Sequence, residues 1–400
     1  MADNQTFIGT PKPAGARESG GPTAPGAFTT IGRSVLPRIE REGTAVRLIH
    51  EDKERYESLG NLGDGGMGEV RRVMDHDIGR EVAIKRLHSH LQSGGGVSRF
   101  VSEIRTVGSL EHPNIVPIHD VGRDADGNYF FVMKRLEGLT VEAIIAGLRT
   151  NEPAMRARFT IDARLAIVRG VLHALEYAHA RGVVHRDVKP ANVMVGPFGE
   201  VVLMDWGIAK AVAAPEGLSA GTDELPAVNL TGTRMGTMIG TPAYMSPEQF
   251  RGEIDKIDAR SDLYAVGVML YELLTLSNAA TGRPDVEAVK RLVLARESAV
   301  DEANVALEPG VGFDLQWLCW RATHRDPGQR FESARAMLDE MDRIASGLCR
   351  VDCAFTALKR ASGASTRAVD THPFAAMAAV VTFAASFGVV SVFAAVLALR

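Results

Sequence analysis

His185-Arg186-Asp187-Val188-Lys189-Pro190-Ala191-Asn192, followed thirteen residues after Asn192 by Asp205-Trp206-Gly207, is the stretch whose chemistry decides how this chain is read. It sets an acid, a cation and an amide in one short loop, then a second acid at the next strand turn. That set suits moving a phosphoryl group from a metal-bound nucleotide to a hydroxyl. Asp187 can accept the hydroxyl proton, Lys189 can steady the transferring phosphate, and Asn192 with Asp205 can hold Mg²⁺.

Working outward, Gly63-Asp64-Gly65-Gly66-Met67-Gly68-Glu69-Val70 lies between two β-like stretches. Glycines there let a backbone approach phosphate oxygens and present N–H groups to them. The run also reads as a plain turn, and it does not open a helix as a dinucleotide-binding loop does. Fifteen residues past Val70 stands Lys85, in Val82-Ala83-Ile84-Lys85 on a strand-like stretch. Glu103, on the helical stretch that follows, is its candidate carboxylate partner.

Taken in order, these motifs resemble those of the bacterial eukaryotic-like (Hanks-type) serine/threonine protein kinases. The resemblance covers about Tyr56 to Ser346. It implies an α+β, bilobal protein-kinase-like fold with a small β-rich lobe and a large helical lobe. It also implies ATP with Mg²⁺, or Mn²⁺ in its place. By resemblance Asp187, Lys189 and Asn192 are catalytic, and Asn192 and Asp205 hold the metal. Glu103 holds Lys85 against the nucleotide phosphates. Val132-Met133-Lys134-Arg135-Leu136-Glu137-Gly138 is similar to the hinge between lobes. Met133 then borders the adenine, whose edge meets the backbone of Lys134 and Leu136. Leu62, Gly63, Gly65, Gly68, Val70, Ala83 and Met194 complete the nucleotide contacts that the resemblance implies.

Other residues take roles the same way. Arg186 matches an arginine that pairs with a phosphate on the activation loop, for which Thr231, Thr233 and Thr237 are candidate acceptors. Thr241 matches a threonine packed under the catalytic loop. Ser246-Pro247-Glu248 stands where the family usually has Ala-Pro-Glu, with Arg330 as the partner of Glu248. Asp262 resembles the buried aspartate that braces the catalytic loop. Trp206 replaces the common Phe, Met67 an aromatic, and Asp205–Glu248 is a long, 44-residue stretch that implies a regulatory loop. Lys189 points to serine or threonine of protein substrates. A nucleotide-binding pseudokinase scaffold is the alternative, set against Lys85, Asp187, Asn192 and Asp205 all being present. A small-molecule phosphotransferase is disfavoured by the long loop and Gly240-Thr241-Pro242-Ala243-Tyr244-Met245.

The chain has 400 residues and a formal net charge of −4, enough for one bilobal unit with appendages. No basic block marks a nucleic-acid partner. Cys319, Cys349 and Cys353 form no even framework and point to reduced thiols. There is no N-terminal apolar h-region. Residues 1–54, rich in Gly and Pro at the start, read as a disordered tail. Residues 55–346 form the kinase-like domain and 347–373 a juxtamembrane linker.

Between Tyr56 and Val132, β-like runs fall at Glu69–Met74, Glu81–Leu87, Ile115–Val121 and Tyr129–Met133, with a helix over Arg99–Leu110. From Ala163 the pattern turns helical, with Leu165, Val168, Leu172 and Leu175 at helical spacing. Helices are then expected at Arg260–Leu276, Val286–Arg296, Phe313–Thr323 and Ser333–Ser346.

Phe374 to Leu399 carries no charged residue. As a helix it would be about 39 Å long, enough to cross about 30 Å of hydrocarbon. Lys359, Arg360 and Arg367 precede it and only Arg400 follows, which leaves residues 1–373 in the cytoplasm. The expectation is a single-pass protein of the inner (cytoplasmic) membrane without an outer sensor module. Ala384, Gly388, Ser391 and Ala395 form a small-residue stripe suited to a homodimer, although an Ala-rich span shows small residues on every face.

Overall fold

The computed structural model describes residues 34–42, 45–49, 54–65, 68–92, 95–124, 126–206, 210–211, 242–277, 286–299 and 311–348. Part of the expected tail is structured. Strands β1 (Arg38–Glu42) and β2 (Ala45–Ile49) pair as an antiparallel hairpin, with Ile39 opposite Leu48. Just before it, the Val35 and Leu36 N–H groups donate to the Asp77 carboxylate at 2.9 and 3.3 Å, and the Ser34 hydroxyl donates to it as well. That partner is distant in the chain, so local composition misses it.

The small lobe is built from β3 (Tyr56–Asp64), β4 (Gly68–Asp75), β5 (Arg80–Leu87), helix α1 (Gly95–Gly108), β6 (Ile118–Arg123) and β7 (Tyr129–Lys134). Its five antiparallel strands run in the order β3-β4-β5-β7-β6. Successive side chains on a strand point to opposite faces. Phe130 therefore packs with Val73, Val82 and Val132, while Phe131 packs with Leu87 and with Phe100 of α1. Strand β3 was not among the expected runs; its residues are mostly exposed and alternate poorly. Strand β6 starts later than expected because the residues before it serve the joint between lobes. Leu203 N donates to Asn114 O at 2.8 Å, and Asn114 Nδ2 donates to Val201 O at 2.7 Å.

The large lobe opens with β8 (Leu139–Thr140), α2 (Val141–Arg149), α3 (Pro153–Arg158) and α4 (Ile161–His179). Short strands β9 (Val183–Val184), β10 (Val193–Val195), β11 (Val201–Leu203) and β12 (Lys210–Ala211) follow. They form the sheets β11-β10-β8 and β12-β9, which bracket the 185–192 loop. Then come α5 (Pro247–Arg251), α6 (Ala259–Thr275), α7 (Val286–Ala295), α8 (Phe313–Ala322) and α9 (Ala334–Ala345). Sequence periodicity found the long helices but not α2, α3 or α5.

Helix α6 is buried on nearly every face and packs against α4 and α8 at the centre of one large apolar cluster. Such a helix needs its ends satisfied inside the protein. At its start the Asp258 carboxylate accepts from Arg260 N at 2.8 Å. At its end Leu276, at φ 55°, stands where glycine is usual. Arg149 Nε donates to Leu276 O at 2.7 Å and Arg164 Nη1 to Leu273 O at 3.0 Å, so two cations satisfy the last carbonyls.

Among the described residues no helix is long and apolar enough to cross a membrane. The expected span at 374–399 and most of the linker before it lie outside those residues, as do residues 1–33.

Candidate active site

The 185–192 loop is held from below. Asp262, in the first turn of α6, accepts from His185 N at 2.9 Å, Arg186 N at 2.8 Å and His179 Nε2 at 2.8 Å. Burial alone would raise this carboxyl. The His179 ring and the backbone N–H groups outweigh it and hold the group below the usual carboxylate range. Arg186 sits at φ 69°, a conformation costing a non-glycine residue about 1 kcal/mol or more. Both its peptide groups are held, since Gln249 Nε2 of α5 donates to Arg186 O at 2.8 Å. Sequence reading found Asp262 and missed His179 and Gln249, whose role depends on partners far along the chain.

That clamp presents Asp187. Its Oδ2 accepts from Lys189 Nζ at 2.7 Å and from Asn192 Nδ2 at 3.2 Å, while Asn192 Nδ2 also reaches Asp187 O at 2.9 Å. Oδ1 takes no hydrogen bond among the described residues and is free to accept one from a hydroxyl. The Asn192 NH₂ is turned to Asp187, so its oxygen is the group left for a cation. Met204 N donates to Asn192 O at 2.8 Å, which sets Asp205 beside it. Oxygen donors of this kind, a carboxylate and an amide, suit a hard divalent ion such as Mg²⁺.

Trp206 fills the space behind this corner. It is fully buried, and its ring lies 4.5 Å from that of His185. His185 Nδ1 accepts from Asp187 N at 3.2 Å and Nε2 faces Met204 O at 3.1 Å, which assigns the proton to Nε2. The larger plug is accommodated in the large-lobe core.

From the small lobe, Lys85 on β5 reaches Glu103 on α1 at 2.6 Å and Asp205 at 3.0 Å. Burial disfavours its charge, but Asp205 and Glu103 outweigh that and raise the ammonium above an ordinary lysine. Burial raises the Glu103 carboxyl, which Lys85 offsets only in part; Glu103 Oε2 is buried without a hydrogen-bond partner among the described residues. Asp205 is lowered, because Lys85 outweighs its desolvation.

Several of the expected nucleotide contacts lie on paired strands of the small lobe. In the sheet, Ala83 lies opposite Met133 and Val70 opposite Lys85. Leu62 is exposed on β3, while Met194 and Leu136 are half-buried from the other side. The Lys134 N–H already donates to Pro117 O at 3.1 Å, so only its carbonyl can meet an adenine edge.

The glycines divide by role. A Cβ on Gly68 would lie 2.1 Å from Arg86 O, so glycine there lets β5 approach. A Cβ on Gly63 would meet nothing within 4 Å, and one on Gly65 only Gly68 O at 3.7 Å. These two face open space. Gly66 and Met67 lie outside the described residues, as do Thr231, Thr233, Thr237 and Thr241.

Glu248 and Arg330 meet as expected, at 2.8 and 2.9 Å, buried behind the α5 segment. Among the described residues no cluster of His, Cys, Asp and Glu suggests a separate metal centre. Cys319 is buried, its thiol pushed up by desolvation, while Cys349 and Cys353 lie outside the described residues.

A family model described as the protein kinase domain matches residues 56–340. Serine/threonine-protein kinase PksC of Streptomyces coelicolor is 38% identical over 302 residues, covering 73% of this chain and 49% of that protein. PknB of Mycobacterium leprae is 34% identical over 298 residues, 74% of this chain and 43% of that protein. The DNA damage-responsive kinase RqkA of Deinococcus radiodurans is 36% identical over 274 residues, 68% of this chain and 37% of that protein. The chain thus spans less than half the length of the curated relatives it matches.

Proposed function

This chain belongs to the protein kinase family, and on that premise we propose that it transfers the γ-phosphoryl group of ATP to serine and threonine hydroxyls of proteins. The observation that carries the reading is Asp187. One of its oxygens is held by Lys189 and Asn192, the other takes no hydrogen bond among the described residues, and Lys85 joins Glu103 of the small lobe to Asp205 of the large one. Asp187 Oδ1 would orient the acceptor hydroxyl and take its proton. Lys189 would balance the charge on the transferring oxygens. Lys85, kept in place by Glu103, would hold the nucleotide phosphates, and the Lys134 carbonyl would meet the adenine. Asn192 and Asp205 would hold Mg²⁺, with Mn²⁺ able to replace it; the bound ion neutralises phosphate charge. No observation favours a pseudokinase, since every group that chemistry needs is present.

Regulation follows from Arg186. Its guanidinium is half-buried, desolvation lowers its pKa despite Asp262, and its Nε is buried without a hydrogen-bond partner among the described residues. A phosphate on Thr231, Thr233 or Thr237 would supply that partner. We also propose that residues 374–399 anchor the protein in the inner membrane with the kinase domain in the cytoplasm. Paired spans would then bring two kinase domains together.

The test is mass spectrometry of the full chain after incubation with Mg·ATP, run beside Asp187→Asn. Phosphate on the 205–248 loop of the wild type and none on the variant supports the reading. Equal signals, or none from either, overturn it. Membrane fractionation of the full chain against one ending at residue 373 tests the anchor.

A further inference from the structure

A glycine loop binds phosphate through its backbone, so it works best when its position is set before the nucleotide arrives. Two hydrogen bonds at the described part of the tip are internal: Gly65 N donates to Gly68 O at 3.0 Å and Gly63 N to Asn61 Oδ1 at 2.9 Å. Another contact reaches the tip from the end of β5. His88, immediately after β5, has its Nε2 at 2.9 Å from Gly65 O and 3.0 Å from Asp64 Oδ1. Both partners can only accept, so Nε2 carries a proton and donates to them. The ring stacks on His90, with centroids 5.3 Å apart and planes 19° apart, which fixes the direction of that donor.

We propose that His88 is a positioning residue that latches the glycine loop in place for the nucleotide. The proposal rests on the kinase reading above. His88 touches the Gly65 carbonyl and the carboxylate of Asp64, which stands between Gly63 and Gly65, the two glycines that face open space. The latch acts in the free protein by ordering the loop in advance. Once the nucleotide holds the loop itself, the latch adds little to the chemical step. Its loss therefore belongs in nucleotide affinity and not in turnover.

The experiment uses the full chain with two substitutions. His88→Phe keeps a ring against His90 and removes the donor; His88→Gln restores an N–H at similar reach. Binding of Mg·ADP is measured by calorimetry, and steady-state kinetics are measured with varied ATP. For His88→Phe the expected result is a rise of about three- to tenfold in both the Mg·ADP Kd and the KM for ATP, with kcat within about twofold. His88→Gln is expected within about twofold of wild type on every measure. An unchanged or lowered Kd in His88→Phe overturns the latch, as does a fall in kcat alone or a failure of His88→Gln to restore affinity. Wild-type protein that binds no Mg·ADP overturns the kinase reading together with this one. Normal wild-type binding with an indifferent His88→Phe overturns this one only.

Discussion

Two cation–carboxylate groups in this molecule look alike in sequence and differ in design. Arg330 is fully buried, and its five N–H groups all find acceptors: Glu248 Oε1 and Oε2, and the carbonyls of Arg260, His324 and Arg325. Ser261 adds a 2.6 Å hydrogen bond to Glu248. Nothing is left over, and the group can only hold the large lobe together. Lys85 divides its charge between Glu103 in the small lobe and Asp205 in the large one, and the Asp205 side chain is 51% exposed. Its contacts can be exchanged for a ligand's. A saturated buried charge marks structure, and an incompletely committed one marks function.

The largest expected effect tests the first half of that statement. Arg330→Met leaves Glu248 buried without its cation, and should cost about 3–5 kcal/mol of stability, read as a large fall in Tm. Lys85→Met tests the second half. Glu103, already raised by burial, can take up a proton instead of remaining an unpaired charge. Phosphoryl transfer should therefore fall about a hundredfold or more while Tm moves far less than in Arg330→Met. A Tm loss equal to that of Arg330→Met would erase the distinction.

The glycine loop extends the contrast on a smaller scale. Gly68→Ala forces a methyl against the Arg86 carbonyl and should cost about 1–3 kcal/mol, whereas Gly63→Ala should leave Tm unchanged and weaken Mg·ADP binding.

Acid sharpens it further. Burial raises the Glu248 carboxyl, but Arg330 outweighs it and the folded value lies below the unfolded one. The stabilisation is thus complete above the ordinary carboxylate range near about pH 4.3 and is lost as pH falls through the folded value. In Glu248→Gln the acid decline of Tm should be shallower than in wild type. The smallest effect is expected for Lys134→Glu, whose side chain is exposed. Nucleotide affinity should change by less than about 0.5 kcal/mol, because on the proposed reading only the carbonyl of that position meets the adenine.

Much of this site was legible in the order of residues. Lys85, Glu103, Asp187, Asn192 and Asp205 were found because each carries a side-chain group whose chemistry is fixed by type, at spacings set by short loops and single strands. The helix around Leu172 was found because its apolar residues recur every three or four positions, and that around Leu270 because it is a long, nearly unbroken apolar run. The β1–β2 hairpin, α2, α3 and α5 escaped because they are short. The hairpin follows a segment tied to Asp77, and α3 has no buried residue of its own. His179, Gln249 and His88 escaped for a related reason: a lone histidine or glutamine says nothing until its acceptor is known.

By itself, then, the sequence pointed to the family, the bilobal plan and the candidate reacting groups, because the motifs that carry the resemblance depend on residue type and near-neighbour spacing. Tertiary structure alone decided which charge is locked and which is exchangeable. It decided that Gly68 serves the sheet while Gly63 and Gly65 face open space, and that the Lys134 N–H is already occupied. The physical reason is the same each time. A hydrogen bond or a close approach is a property of two groups, and the second group here lies elsewhere in the fold.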